Sequence, residues 1–326
     1  MTVLCLLIVF VSSLLVKAFG NTEISQFEKF MIRFKKSYSS KEEFQYRLQI
    51  FTKNMEQARL LQQAELGTAV YGVTKYSDLT DQEFGIQRNS KEYNVPPTPI
   101  EKTESTMQPE CDWRKSGFVS EVKDQGLRCK SSWAFAAVSN IETLWGINGH
   151  STNLSVQQLI DCNVCGDGCK RGYQWHAFRT VLFKNLATEN DYQEYQGRKN
   201  KCDEAVMSVW WISGFEMLPR NENAMSIHLS YNGTLTVVIN STPLKLYKGG
   251  VIHQPDCSKR VGDHVALIVG YHKKKKTPYW ILKNSWGKDW GENGYFRLYW
   301  GKNSCGVTSY PLSATLDRDV KAKCPM

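Results

Sequence analysis

Asp124-Gln125-Gly126-Leu127-Arg128-Cys129-Lys130-Ser131-Ser132-Trp133-Ala134-Phe135 is the stretch from which the rest of the chain is read. It runs from a polar, glycine-bearing loop into residues 132–149. There the apolar positions Trp133, Phe135, Ala136, Val138, Ile141 and Leu144 predict one long, core-facing helix. Unpaired amides and the helix dipole favour negative charge at a helix start, so a nucleophile belongs there. Downstream, Asp263-His264-Val265-Ala266-Leu267 sets a histidine on a strand edge. Trp280-Ile281-Leu282-Lys283-Asn284-Ser285-Trp286-Gly287 sets an asparagine at the end of the next strand. A lone histidine in a strand is usually structural. Three such segments in this order, two of them flanked by tryptophan, point to one site with residue 132 facing His264 and Asn284.

Around this stretch the chain divides in character. Residues 235–240, 264–272, 279–286 and 294–300 (LTVVIN, HVALIVGYH, YWILKNSW, GYFRLYW) are strand-like. A helical first half and a β-rich second half predict an α+β fold of two subdomains with a cleft between them. Upstream, residues 24–65 lack proline and interior glycine, and Phe44, Leu48, Phe51 and Met55 recur at helical spacing, with Leu60 and Leu61 following. The reading is two helices broken at 36–40, with Ser39 or Ser40 capping the second above Glu43. Residues 71–84 (YGVTKYSDLTDQEF) predict a short strand and a further helix start near Asp81-Gln82-Glu83. Residues 86–110, with Pro96, Pro97 and Pro99, read as an exposed linker open to proteolysis.

Composition bounds the class. The chain is 41% hydrophobic over 326 residues, enough to bury more than one folded unit. Its net charge of +9 lies wholly after residue 110, because the earlier part balances 13 basic against 13 acidic side chains. That excess suits attraction to acidic glycans, and no nucleic-acid partner is expected. Residues 3–16 form an apolar run of fourteen, shorter than the roughly 20 that span a bilayer. With Ala18 and Gly20 behind it, residues 1–20 read as a signal peptide. The expected location is the secretory pathway: endoplasmic reticulum lumen, lysosome or outside the cell. Nine cysteines beyond that segment predict several disulfides and one odd thiol. Asn153, Asn232 and Asn240 stand in glycosylation sequons. No metal ligand set and no cofactor are predicted.

The helical region also carries Glu43, Arg47, Phe51, Asn54, Ala58 and Gln62 in the pattern E-x3-R-x3-F-x2-N-x3-A-x3-Q, followed by Gly72, Thr74, Tyr76 and Asp78. With these residues the chain resembles papain-like cathepsins, a family of cysteine peptidases, over essentially all of its length after the signal segment. The Ala58 and Gln62 variant is similar to the branch that holds cathepsins F and W. Cys111-Asp112-Trp113-Arg114-Lys115, Ile141-Glu142-Thr143-Leu144-Trp145 and Cys165-Gly166-Asp167-Gly168-Cys169 tilt it toward the W side. The resemblance implies a papain-like fold at 111–326, with a helical left subdomain and a β-barrel-like right one. Ahead of it come a helical inhibitory prodomain at 21–85 and a linker at 86–110. It implies a monomer that takes peptide or protein substrates in the cleft and its own prodomain as inhibitor. Gln125 would donate to the oxyanion, residue 132 would attack, His264 would move the proton, Asn284 would orient the imidazole and Trp286 would shield it. Gly172 would let substrate backbone approach, and Thr308 would lie at a pocket floor. The implied disulfides are Cys129–Cys169, Cys162–Cys202 and Cys257–Cys305. Cys111 and Cys324 would clasp the two ends, leaving Cys165 as the odd thiol.

The sequence departs from the family pattern in three places. The signature Cys-Gly-Ser-Cys-Trp reads Cys129-Lys130-Ser131-Ser132-Trp133, so a hydroxyl stands where the thiol belongs. One extra residue between Gly126 and Cys129 threatens to displace Gln125. Arg171 replaces the first glycine of Cys-x-Gly-Gly. A serine hydroxyl cannot be held as alkoxide near neutral pH, and Asn284 is a neutral partner for His264. Three readings follow. One is a papain-family zymogen with lost or strongly reduced proteolysis. The second is an active peptidase, through Ser132 or through a cysteine codon misread as serine. The third is a non-catalytic secreted binding protein or decoy.

Overall fold

Two helices, α1 (Asn21–Phe34) and α2 (Lys41–Ala64), open the N-terminal region of the computed structural model. It describes residues 21–86, 108–164, 168–170, 172–257, 262–317 and 322–326; the signal segment, most of the linker, Cys165 and Arg171 lie outside these. The helices part at the expected break. Ser40 is the N-cap of α2, its hydroxyl accepting the Glu43 N–H. The Glu43 carboxylate in turn accepts from the Ser39 N–H and hydroxyl at 2.9 and 2.7 Å. Both serines of the predicted pair are used.

Phe27, Phe30, Leu48 and Phe51 form a small core between these helices. A cluster of that size cannot hold a region of this length by itself. The rest of its burial comes from docking. Strand β1 (Val70–Tyr71) pairs antiparallel with a strand far along the chain, Tyr247–Gly249. The short helix α2 leads to, α3 (Asp81–Phe84), is closed by a capping box between Thr80 and Glu83.

The remaining α-helices and strands among the described residues are β2 (Glu110–Asp112), α4 (Ser132–Ile147), α5 (Val156–Asp161), α6 (Gln174–Lys184), β3 (Gly214–Met217), α7 (Glu222–Tyr231), β4 (Leu235–Ile239), β5 (Tyr247–Gly249), β6 (Val251–Ile252), β7 (His264–His272), β8 (Tyr279–Lys283), β9 (Tyr295–Tyr299) and β10 (Leu312–Thr315). The main sheet runs β3-β10-β4-β7-β8-β9-β6, with β2 added against β7. Helix α4 is buried on nearly every side, Ser139 being its main half-buried break before Ile147. That agrees with its apolar composition all round. It ends at Ile147 rather than 149 because Gly149 turns left-handed at φ +87°, while the Asn148 side-chain amide donates to the Leu144 carbonyl.

Two cores result. One gathers Trp133, Ile141, Leu159, Phe178 and Val181 around α4. The other gathers Trp113, Tyr247, Trp280, Trp290 and Phe296 on the sheet. Each such fully buried ring contributes on the order of 1.5–3 kcal/mol. Four disulfides pin the layers: Cys129–Cys169, Cys162–Cys202, Cys257–Cys305 and Cys111–Cys324. Cys5 and Cys165 are left over, both outside the described residues. The α+β, papain-like architecture is the one expected.

Candidate active site

Ser132 is the first residue of α4 and is buried. The loop ahead of it is tied to residue 169 twice, by the Cys129 disulfide and by the Lys130 N–H donating to the Cys169 carbonyl. Ser131 shares a hydrogen bond with the Tyr195 hydroxyl, which itself donates to the Gln125 carbonyl at 2.7 Å. The helix start is therefore held from both sides, and the Ser132 hydroxyl accepts the Val265 N–H at 3.2 Å.

Strands β7 and β8 supply the facing wall. His264 opens β7 and Asn284 follows β8, as read from the sequence. His264 Nε2 lies 2.8 Å from Asn284 Oδ1, which also accepts the Ser285 N–H. An amide oxygen can only accept, so Nε2 carries the proton and Nδ1 is left as the base. Burial pushes the imidazole below its ordinary pKa, while the Asn284 hydrogen bond and the charge of Asp263 pull it back up. Trp286 packs its ring 4.6 Å from that of His264 and screens the pair from water.

Gln125 stays in place. Its backbone N–H donates to the Ser285 carbonyl, and its Oε1 accepts the Ser285 hydroxyl at 2.6 Å. Holding Oε1 there aims the amide nitrogen toward the loop before Ser132, where Nε2 reaches the Cys129 carbonyl at 3.5 Å. The extra residue is absorbed outside the site: Gly126 turns at φ +65°, and Leu127 and Arg128 point to solvent. Displacement of Gln125 does not occur. Ser285, which orients it, was not singled out from the sequence; a serine beside the asparagine carries no spacing signal of its own.

Gly172 lines the same cavity, and its glycine is demanded by packing. A Cβ there would sit 2.3 Å from the Trp133 ring. Thr308 is not brought to the site. Its hydroxyl donates to Asn303 within its own loop, and it does not line the cavity at Ser132. Asn240 is corrected as a glycan acceptor: it is 2% exposed, with Nδ2 donating to the Cys257 carbonyl, so a sugar has no room. Asn153 and Asn232 are exposed.

The cleft is filled by the N-terminal region. A cavity of about 80 Å³ remains at Ser132, walled by Phe84, Gly85, Gln125, Lys130, Gly172 and His264 among others. Phe84 and Tyr76 pack edge-on against Trp286 at 4.9 and 5.9 Å. Helix α2 contributes no residue to the wall of this cavity. Instead it braces the segment that does: Asn54 Nδ2 donates to the Ser77 and Leu79 carbonyls, and Asn54 Oδ1 accepts from Lys245 Nζ at 2.8 Å. Lys245 also reaches Asp81 at 2.6 Å. Arg47 joins in by binding Glu83 and the Asp78 carbonyl.

Comparison with known proteins agrees with this arrangement. Residues 107–315 match the model of the papain family cysteine proteases, and residues 27–84 match the cathepsin propeptide inhibitor domain. Cathepsin W of Mus musculus is 44% identical over 92% of this chain and 89% of its own length. Cathepsin W of Felis catus is 42% identical over the same shares. The solved digestive procathepsin L 3 of Tenebrio molitor larval midgut superposes with a TM-score of 0.79 at 31% identity, covering 91% of this chain and all of that one. A helix-borne residue 132 facing a His264–Asn284 pair, under a propeptide lying in the cleft, places this chain in the papain family of cysteine proteases.

Proposed function

We propose that this protein is a cathepsin W-like zymogen of the secretory pathway whose proteolysis is strongly reduced because Ser132 holds the nucleophile's position. The carrying observation is that a hydroxyl, bound to the Val265 N–H, faces a histidine oriented, among the described residues, by the neutral Asn284. A thiol and imidazole can exchange a proton to give a reactive thiolate before substrate arrives. A hydroxyl must lose its proton during attack, and the resulting imidazolium then needs a negative partner. In serine triads, replacing that partner by asparagine costs about 10⁴ in rate. Gln125, oriented by Ser285, and the start of α4 still offer oxyanion stabilisation. The cleft therefore keeps its binding chemistry and loses its attack. Four disulfides suit an oxidising compartment, and Asn153 and Asn232 are the glycan acceptors in this reading. The propeptide acts as the inhibitor, since Phe84 and Gly85 occupy the space a substrate would need.

The decisive experiment is Ser132→Cys. With the linker cut by an added peptidase, the variant should hydrolyse fluorogenic peptides faster than the native protein by about 10⁴ or more. It should also take up a thiol-directed epoxide at residue 132, which the native chain should resist. Native protein already working at the variant's rate would overturn the proposal.

A further inference from the structure

The loop before Ser132 carries a charge that the family signature lacks. Where Cys-Gly-Ser-Cys-Trp has its glycine, this chain has Lys130, two positions ahead of the nucleophile's place. Its root is fixed: Cys129 is bridged to Cys169, and the Lys130 N–H donates to the Cys169 carbonyl at 2.9 Å. The side chain is exposed and lines the cavity at Ser132. A substrate carbonyl there must reach both the Ser132 hydroxyl and Gln125 Nε2. Lys130 lies on the short stretch of chain between those two residues, next to the Cys129 carbonyl that Nε2 reaches. The side chain of a bound peptide that meets it is therefore that of the residue giving the carbonyl.

The propeptide gives this ammonium no carboxylate. Gly85, which caps α3 at φ +100°, lies beside it. A Cβ at position 85 would stand 3.7 Å from Lys130 Cε and 4.0 Å from Nζ, an ordinary contact distance. An aspartate or glutamate built from that point brings a carboxylate oxygen to the ammonium. Glycine brings nothing, and the ammonium has no ion pair or hydrogen bond among the described residues. Asp263, which lines the same cavity, is on the facing wall, where its Oδ1 accepts the Ser241 N–H at 2.8 Å. An unpaired cation in a concave cleft attracts a carboxylate and repels a lysine or arginine.

We propose that Lys130 is a specificity-determining residue: the cleft selects peptides with aspartate or glutamate at the residue whose carbonyl faces Ser132. This rests on the reading above of a cleft that still binds peptides. Neutral side chains are tolerated there, and lysine or arginine is turned away by like charge. The charge acts on the ligand's side chain and not on the reacting atoms. The selection is therefore the same whether residue 132 bears a hydroxyl or a thiol, and it weakens as salt screens the pair.

The test uses the full chain with its linker cut, and labelled hexapeptides that differ at one residue: aspartate, asparagine or lysine. By fluorescence anisotropy the aspartate peptide should bind about fivefold tighter than the asparagine one, the upper end for an ion pair open to water, and the lysine peptide weakest. Lys130→Glu should reverse the order. In Ser132→Cys the aspartate peptide should be cut at the bond after aspartate. A second measurement needs neither cutting nor opening. In the uncut chain, Gly85→Asp and Gly85→Asn share the same backbone strain and differ by a charge. Hydrogen exchange at the Gly72 amide, which donates to the Leu246 carbonyl across the seam, should be about fivefold slower in Gly85→Asp. Adding Lys130→Gln should abolish that gap. Equal affinities in the native protein, an order unchanged by Lys130→Glu, or no Lys130-dependent gap at Gly72 would overturn the proposal. Failure of every peptide to bind would sink the reading of a binding cleft, and this proposal with it. Native protein that cuts the peptides would overturn the reading of lost proteolysis alone, and the same order, read from cleavage rates, would still support Lys130.

Discussion

Asn54→Ala should unseat the propeptide without harming the mature domain. The side chain is 5% exposed and makes three hydrogen bonds: two to the Ser77 and Leu79 carbonyls and one from the Lys245 ammonium. A neutral hydrogen bond is worth about 0.5–1.5 kcal/mol net, one to a charged group about 1.5–3, and stranded buried partners add their own penalty. The loss is about 3–5 kcal/mol. Lys245 keeps Asp81, which limits the upper end. Since 1.4 kcal/mol is a factor of ten, opening should rise at least about 100-fold. The readout is hydrogen exchange at the Thr68, Ala69 and Gly72 amides, which donate across the seam to Val251 and Leu246. Their protection should collapse while that of β8 stays intact. Lys245→Met should open the seam less, because it removes a buried charge together with its partner's bond. Protection at those three amides within about twofold of native would refute this account of Asn54 as the brace.

Three further outcomes follow from the same geometry. Burial holds His264 neutral in the folded chain at pH values where the unfolded chain, near its ordinary 6.5, already binds the proton. Stability from this group is therefore lost on acidification below about pH 6.5, until the folded imidazole also protonates. The gap in melting temperature between native protein and His264→Gln should thus shift against the native chain from pH 7 to pH 5, and a constant gap would contradict it. Thiol labelling of the non-reduced, signal-free chain should give one label, on Cys165, and a label on Cys129 would break the disulfide scheme. Glycopeptide mapping of secreted protein should find sugar on Asn153 and Asn232 and none on Asn240; occupied Asn240 would mean that its loop is built differently from the one described.

Local chemistry was the legible part of this chain. Ser39, Ser40 and Glu43 announce the start of α2 because capping is settled within four residues. The strands at 264–272 and 279–283 announce themselves by continuous apolar runs, and His264 and Asn284 meet because those strands are neighbours. The disulfides came from resemblance to the family rather than from spacing. What could not be read joins residues far apart. Asn54 and Lys245 are 191 positions apart, and nothing near either names the other. Phe84, not α2, lines the cavity at Ser132, and the β1–β5 pairing that docks this region joins segments far apart in the chain. Asn240 looked like a surface sequon because a triplet carries no information about burial.

The bridge from Cys111 to Cys324 makes the mature domain a closed ring. It joins positions 213 residues apart, and on the chain-entropy account a loop of that size removes about 5 kcal/mol worth of disorder from the unfolded state. An exopeptidase trimming inward from either side meets a covalent knot at this bridge, beside which the Asp112 N–H holds the Pro325 carbonyl at 2.8 Å. Trimming stops there. In a compartment crowded with peptidases, the domain would persist long after its propeptide had been digested away.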